Sequence, residues 1–349
     1  MTRDEFREGV LARDAGKCVV CGALAADAHH IMERRLWPDG GYHLDNGASL
    51  CSTHHIEAEQ TILSCEEIRE KVGITSVLTP STLYKGERYD KWGNTILANG
   101  MRMRGELFWD ESVQKVLAEG GVLEQFTKYV KFPKISHFPW SLGVDEETDR
   151  VMSAVDIAGV FGGMPVVVGE KLDGECSSLY SDHVHARSID GRNHLSRNWL
   201  KRMHASIAHD IPDGWRICGE NVFAQHSIPY GNLTTYFYVF AIYTDRNVCL
   251  GWDDTMEWSE MLGLEVVPVI WRGVYDEEKV RGCYTGRSYF DGSPQEGYVM
   301  RLSGPMSFGG SGRGFAKFVR KDHVQTSHNW MNQPVVQNKL KAPAGATVA

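Results

Sequence analysis

Apolar positions recur at helical spacing in the first third of the chain, behind residues that favour helix starts. Thr2 with Glu5 forms a capping-box pattern ahead of one such helix, and Ser64 with Glu67 forms a second. A further helix is predicted around residues 111–118, where two glycines follow as a stop signal. The N-terminal part is therefore expected to be small and partly helical.

Short apolar strands dominate from about residue 130 onward, and the run YFYVFAIY has the all-apolar character of a strand buried on both faces. This change in pattern places a domain boundary near residue 125. We expect one domain over 1–125, a second over 126–335 and a disordered tail at 336–349.

Composition and charge narrow the classes of protein to which the chain can belong. The 349 residues are 42% hydrophobic and 23% charged, and no stretch approaches the roughly 18 apolar residues of a membrane span. The start of the chain lacks an apolar signal segment, so we expect a cytoplasmic protein without a membrane role, and eight cysteines then favour thiols or metal ligands over disulfides. The net charge of −8 disfavours indiscriminate nucleic-acid coating, but residues 301–349 are basic and interleaved with aromatics, as in a local nucleic-acid groove or a solvated surface strip.

The stretch VVVGEKLDGECSSLY, residues 166–180, carries a lysine at the end of an apparently buried strand. Lys171 is followed by an Asp-Gly turn, in which Asp173 is a turn residue. Desolvation and neighbouring positive charge lower the pKa of a lysine and make it a nucleophile, and we expect this activation for Lys171. An edge-strand lysine beside a hairpin turn is the plainer interpretation.

Five further stretches follow this lysine in a fixed order. An alternating strand delivers Arg187, GWRICGENVF carries Glu220, YFYVFAIY carries Phe240, EGYVMRL starts with Glu296, and GFAKFVRKD carries Lys317. With the lysine stretch, this order resembles the nucleotidyltransferase motifs of ATP-dependent polynucleotide ligases and capping enzymes, and most of all the RNA ligase branch. The resemblance covers roughly residues 130–335.

The resemblance implies an α+β fold with antiparallel sheets around an ATP site, and AMP carried covalently on Lys171. It also implies nucleotide-binding roles for Glu170 at the adenine edge, Arg187 on the phosphates, Glu220 on the ribose, Phe240 stacked on adenine, Glu296 on Mg²⁺ or Mn²⁺, and Lys317 on the α-phosphate. Relatives pair the last lysine with a second one; here the partner is open between Arg320 and Lys321.

The implied reaction joins a 5′-phosphate end to a 3′-hydroxyl end in three steps: lysine adenylylation, AMP transfer to the 5′-phosphate, and attack by the 3′-hydroxyl. RNA is the favoured partner through the resemblance alone. DNA ends, or GTP chemistry as in capping enzymes, are alternatives.

The N-terminal part holds two short cysteine and histidine pairs. Cys18 and Cys21 form C-x-x-C, and Cys51 and His54 form C-x-x-H. Four soft ligands in paired spacing predict a structural Zn²⁺ site.

Between and after these pairs lie His29, His30, Asn46 and His55, an order that resembles the HNH, or ββα-metal, nucleases. The resemblance implies that His30 is the general base, that His29 and His55 hold a catalytic divalent ion, and that Asn46 orients the loop. Relatives often have aspartate at the position of His29. The assignment of His54 to zinc and His55 to catalysis could be exchanged. A zinc-pinned nucleic-acid-binding or packing module is the alternative, and so is a nuclease whose ligase-like half is regulatory.

Overall fold

The computed structural model describes residues 1–145, 147–189, 194–321 and 334–342. The chain divides into two compact units, Met1–Val130 and Lys131–Ala349. Within the described residues, no helix has both the length and the apolar composition needed to cross a membrane.

The first unit combines four helices with two small sheets among its described residues. Its elements are α1 (Arg3–Arg13), β1 (Asp27–His30), β2 (Gly47–Leu50), α2 (Ser52–Glu59), α3 (Cys65–Val72), β3 (Arg88–Tyr89), β4 (Thr95–Ile96), β5 (Arg102–Met103) and α4 (Glu111–Glu119). Both predicted capping boxes are confirmed, at the starts of α1 and α3. Strands β1 and β2 form an antiparallel pair, and β3, β4 and β5 form a separate antiparallel sheet.

The second unit contains more strands than helices among its described residues. Its elements are β6 (Ser136–His137), α5 (Ala154–Phe161), β7 (Pro165–Lys171), β8 (Glu175–Leu179), β9 (Val184–Ala186), α6 (Asn198–Ile207), β10 (Arg216–Asn221), β11 (Phe237–Tyr243), β12 (Val248–Cys249), α7 (Trp252–Met261), β13 (Glu265–Val266), β14 (Val269–Val274), α8 (Glu277–Gly282), β15 (Gly297–Leu302), β16 (Met306–Ser307), α9 (Phe308–Ser311) and β17 (Phe315–Val319). Mixed α+β architecture is confirmed.

Two largely antiparallel sheets organise this unit. One has the order β14-β7-β15-β17-β6, and the other runs β16-β12-β11-β10-β8-β9 with β13 paired to β11. Only the β17–β6 and β11–β13 pairs are parallel among the described strands. Strands β7 and β11 are almost wholly buried, as their apolar runs predict.

Strand register brings distant residues of the sequence to one place. Gly297 at the start of β15 pairs with Lys171 at the end of β7, so Glu296 lies directly beside the lysine. Position 297 must be glycine, because a Cβ there would lie 1.9 Å from the carbonyl oxygen of Phe318 on β17. Gly174 is constrained in the same way, since its Cβ would lie 2.6 Å from the carbonyl oxygen of Asn221 on β10.

The end of the chain differs in part from the predicted tail. Residues 334–342 are ordered, with bridges from Gln337 to Ala224 and from Leu340 to Leu233. Apolar periodicity could not reveal this, because the contacts are made by backbone groups and by the buried amide of Asn338. Residues 343–349 lie outside the described residues.

Candidate active site and metal clusters

A cavity of about 480 Å³ lies in the second unit, lined from both of its sheets. Its volume is in the usual range of small-molecule sites. Six of the residues that the sequence singles out in this unit line the cavity: Glu170, Lys171, Arg187, Glu220, Phe240 and Lys317. Glu296 joins the group through its contact with the lysine.

Lys171 ends β7 as predicted and is tied to one carboxylate. Its Nζ donates to both Oε1 and Oε2 of Glu296, each at 2.7 Å. Burial would lower the pKa of Lys171, but the carboxylates of Glu296 and Glu220 outweigh it and raise the pKa above its usual value. The expected lowering of this pKa is therefore wrong for the free protein, because opposite charge surrounds the amine.

Glu220 lies on β10, across the cavity from β7. Burial raises its pKa to about 8, the nearby Lys171 opposes this, and the negative charge of Glu296 adds to it. Burial also raises the pKa of Glu296, which is 5% exposed. Two carboxylates and one ammonium thus share a small enclosed volume, and oxygen ligands of this kind suit Mg²⁺ or Mn²⁺.

The end of the cavity next to Glu170 is suited to an aromatic ligand with a hydrogen-bond donor. Glu170 is 3% exposed, and its Oε2 accepts from the backbone N–H of Tyr289 at 2.8 Å, while Oε1 is buried without a hydrogen-bond partner among the described residues. Phe240 on β11 is half-buried, and its ring packs edge-on against Phe132, with centroids 4.9 Å apart. A buried carboxylate oxygen without a donor is costly unless a ligand supplies one.

Cationic side chains border the same cavity. Burial lowers the pKa of Lys317, and Asp149, 3.9 Å from its Nζ, opposes this. The charges of Lys171 and Arg187 lower the pKa of Lys317 further, so the three cations lie within electrostatic range of one another. Such a group matches a polyphosphate.

The two candidate partners of Lys317 lie beyond the end of β17. The Nε of Arg320 is buried, whereas Lys321 is exposed in a turn. The backbone N–H of Arg320 donates to the carbonyl oxygen of Glu296 at 2.9 Å. The structure thus holds Arg320, and not Lys321, against the segment that carries Glu296.

Asp173 is a turn residue, as the sequence indicates, but its contacts reach further. Its Oδ2 accepts from the backbone N–H groups of Ser227 and Ile228, at 2.7 and 2.8 Å. Its own N–H donates to the hydroxyl of Tyr230 at 3.0 Å. Nothing in the sequence pattern indicates the role of Tyr230.

In the first unit, Cys18, Cys21, Cys51 and His54 come together, with their ligand atoms within 4.8 Å of one another. Cys21 Sγ and Cys51 Sγ are 3.8 Å apart, the separation of two sulfurs each about 2.3 Å from a tetrahedral Zn²⁺. Burial raises the pKa of Cys18, but hydrogen bonds from backbone groups such as that of Cys51 outweigh it and bring the pKa to about 6. The donor set therefore fits zinc.

A second cluster consists of His29, His55 and Glu59. The rings of His29 and His55 meet edge to face, 4.8 Å apart, and His29 Nδ1 is 3.5 Å from Glu59 Oε1. Burial, with the nearby charge of Lys91, lowers the pKa of His29 well below its usual value, so the ring is neutral and able to bind a metal. Both ring nitrogens of His29 are buried without a hydrogen-bond partner among the described residues. Glu59 was missed in the sequence, although its position four residues after His55 on α2 puts both on one helix face.

His30 is separated from this cluster by the alternation of side chains along β1. Its ring stacks on Phe6 of α1, with centroids 4.4 Å apart, whereas His29 faces His55 on α2. Burial lowers the pKa of His30 to about 4. Asn46 is buried and holds its loop, exchanging hydrogen bonds with the backbone of Met32.

The cavity of the second unit thus combines a lysine at a strand end with a group of cations that suits a polyphosphate. Residues 164–319, the segment from β7 to β17, match the model of the RNA ligase family. The match covers less than half of the chain. The match does not extend to the first unit.

Solved RNA ligases are similar to the chain at low identity. A Naegleria gruberi RNA ligase with PPi is 17% identical with a TM-score of 0.37, over 68% of this chain and 77% of that one. An archaeal ATP-dependent RNA ligase is 18% identical with a TM-score of 0.34, over 55% and 48%. A Naegleria gruberi RNA ligase variant with ATP and Mn is 18% identical with a TM-score of 0.36, over 57% and 62%. The chain thus spans less than two thirds of the length of the archaeal ligase and of the Naegleria gruberi variant with ATP and Mn. A comparison with curated proteins finds no match.

Proposed function

We propose that the chain is an ATP-dependent RNA ligase that seals 5′-phosphate and 3′-hydroxyl ends through AMP carried on Lys171. The observation that carries this proposal is the position of Lys171, at the end of a buried strand and at the edge of a nucleotide-sized cavity, with Lys317 and Arg187 on the same cavity. The RNA ligase family match over residues 164–319 supports RNA as the substrate.

In the first step the neutral amine of Lys171 attacks the α-phosphorus of ATP. A phosphorus–nitrogen bond forms, and the bond from the α-phosphorus to the bridging oxygen breaks, so that pyrophosphate leaves with the electron pair. Lys317 and Arg187 neutralise the charge that builds on the phosphate oxygens. The ammonium of Lys171 first passes one proton to water, which requires its ion pair with Glu296 to open, and the nitrogen releases a second proton to water as the phosphorus–nitrogen bond forms.

Glu296, with Glu220 nearby, would hold a divalent ion, Mg²⁺ or Mn²⁺. The ion would supply positive charge next to the phosphates, and a Glu296 carboxylate turned to the ion would no longer pair with Lys171. Once Glu296 no longer pairs with the amine, burial, which lowers the pKa of Lys171, is opposed by fewer negative charges. The activation expected from the sequence then belongs to the nucleotide-bound state.

The other end of the cavity orients the nucleoside. Glu170 Oε1 would accept from the exocyclic amine of adenine, which gives the buried oxygen the donor that it lacks among the described residues. Phe240 would stack on the base, and Glu220 would accept from a ribose hydroxyl. In the later steps AMP passes to the 5′-phosphate, and the 3′-hydroxyl then displaces AMP.

The test is incubation of the protein with Mg²⁺ and α-labelled ATP or GTP, followed by denaturing electrophoresis. Wild type should retain label from ATP, and Lys171→Ala should not. Lys279→Ala is the matched control, because this lysine is exposed on α8. Label from GTP alone would favour a capping-type enzyme, and label from neither nucleotide would refute the ligase proposal. Sealing of nicked RNA against nicked DNA then decides the substrate.

We also propose a nuclease function for the first unit, on the observation that His29, His55 and Glu59 form a ligand group on a β1–β2–α2 arrangement. They would hold a divalent ion that polarises a phosphate, and His30 would be the base. The packing of His30 on Phe6 means that its ring must leave Phe6 to reach that ion. The zinc cluster would join the segment of Cys18 and Cys21 to the start of α2.

Cleavage of single-stranded and double-stranded RNA and DNA with Mg²⁺ or Mn²⁺ tests this proposal. His29→Ala should lose both metal binding and cleavage, and His30→Ala should lose cleavage with metal binding intact. His43→Ala, a partly exposed histidine of the same unit, is the control. No cleavage by wild type, together with unchanged sealing by His30→Ala, would identify the unit as a binding platform. A nuclease with a regulatory ligase half would keep cleavage in Lys171→Ala.

A further inference from the structure

Residues 334–342, here called the C-terminal strap, lie along the loop between β10 and β11. This loop, residues 222–236, is called the β10–β11 loop. The N–H of Gln225 donates to the carbonyl oxygen of Val336 at 2.7 Å, and the N–H of Lys339 donates to that of Tyr230 at 2.9 Å. Pairing at both ends of the strap fixes it to the loop as an added short strand would.

Asn338 is the centre of this contact and is 3% exposed. Its Oδ1 accepts from the N–H of Tyr230 at 2.9 Å, and its Nδ2 donates to the carbonyl oxygen of Val222 at 2.8 Å. Its backbone oxygen accepts from the hydroxyl of Tyr236 at 3.0 Å. One buried amide therefore spans the base of the β10–β11 loop, and its removal would leave several buried polar groups unpaired.

The same loop holds the turn that follows Lys171. Ser227 and Ile228 donate to the carboxylate of Asp173, and the Tyr230 hydroxyl accepts from the Asp173 N–H. Asp173 is two residues from Lys171. Tyr230 is thus bound by Asn338 at its backbone and binds the turn through its side chain.

We propose that Asn338 is a positioning residue for Lys171, acting through Tyr230 and Asp173. The proposal rests on the proposed function, in which Lys171 attacks ATP. Attack requires the amine and the α-phosphorus in a narrow range of distance and angle, and misplacement by about 1 Å costs as much as a hundredfold in rate. In this arrangement the C-terminal strap holds the β10–β11 loop, and the loop holds the turn at Asp173. The turn then sets the position of the Lys171 amine, two residues earlier in the chain.

Single-turnover adenylylation separates positioning from folding. Asn338→Ala and Tyr230→Phe should each lower the rate constant at saturating ATP by roughly ten- to a hundredfold. The final fraction of labelled protein should match wild type. ATP affinity, measured for Asn338→Ala in the Lys171→Ala background, should be unchanged. Val336→Ala is the control, because this strap residue is 57% exposed and pairs with the loop through its backbone.

A reduced labelled fraction with a wild-type rate constant would overturn the proposal, because it would show that Asn338 only stabilises the fold. Combining Asn338→Ala with Tyr230→Phe should slow the reaction less than the product of the two single effects, and full multiplication would also contradict a shared route.

Hydrogen exchange gives a readout that needs no activity. Amides of residues 171–176 should exchange faster in Asn338→Ala than in Val336→Ala, and equal exchange would refute the link. Absence of label in wild type would refute the ligase proposal, and the exchange result would still decide whether the strap holds the turn.

Discussion

Replacing Glu220 with glutamine should stabilise the free protein, in a way that depends on pH. Burial raises the pKa of this carboxyl from 4.5 to about 8. Because the folded state raises this pKa, folding favours the protonated carboxyl. The contribution of the protonated carboxyl to the free energy of unfolding is fully present below pH 4.5 and is lost as the pH rises toward 8. Glutamine keeps an oxygen to accept from the Gly174 N–H but cannot ionise.

The pKa difference sets the size of the effect. At 1.36 kcal/mol for each tenfold change in proton affinity, ionising Glu220 in the folded state costs at most about 5 kcal/mol. Local relaxation and water entry reduce such penalties, and we expect a gain of about 2 kcal/mol for Glu220→Gln above pH 8. For a unit of this size, that gain corresponds to a rise in Tm of about 4–8 °C.

Calorimetry of the full chain at pH 5 and at pH 8.5 tests this expectation. The variant should melt with wild type at pH 5 and above it at pH 8.5. Glu265→Gln, a substitution at an exposed carboxylate, should show no such divergence. Equal melting temperatures at pH 8.5, or the same gain at both pH values, would mean that Glu220 is ionised at little cost and that the charge balance described for this cavity is wrong. Adenylylation should slow in the same variant, since glutamine cannot supply the negative charge that would help Glu296 to hold the divalent ion.

Three further outcomes are expected. Cys51→Ser should lower both the bound zinc, measured by atomic emission, and the melting temperature of the first unit. The control Cys283→Ala, in the second unit, should keep the metal. Zinc retained by Cys51→Ser would contradict the proposed zinc cluster. Lys317→Met should slow adenylylation at saturating ATP by roughly a hundredfold, and Lys321→Met should not; the reverse order would reassign the phosphate lysine. Glu59→Gln should weaken Mn²⁺ binding to the first unit by about ten- to a hundredfold in a titration, and unchanged affinity would exclude this carboxylate as a ligand.

The strands and the position of Lys171 could be predicted from the sequence because each depends on local pattern. Three valines and a following Asp-Gly turn specify a buried strand that ends at Lys171. The Cys-x-x-Cys and Cys-x-x-His pairs likewise predict the cluster that they form. Each pair places two ligands on one turn of the chain, and a tetrahedral site needs only one further pair.

The remaining features depend on partners that local pattern does not specify. The raised pKa of Lys171 results from strand register, which brings a residue 125 positions away to its amine. Asn338 is a small polar residue in a polar segment, and its burial follows from the loop that it meets. His30 is adjacent to His29, but their side chains point to opposite sides of β1.

The ion pair between Lys171 and Glu296 has a consequence for chemical selectivity. A deprotonated amine in an accessible cavity would react with aldehydes, carbon dioxide and activated acyl compounds, and each adduct would inactivate the enzyme. Held as an ammonium ion, the same group has no lone pair to donate. The free protein therefore holds the amine of Lys171 unreactive toward stray electrophiles, and in the proposed reaction only a ligand that displaces Glu296 makes the amine reactive.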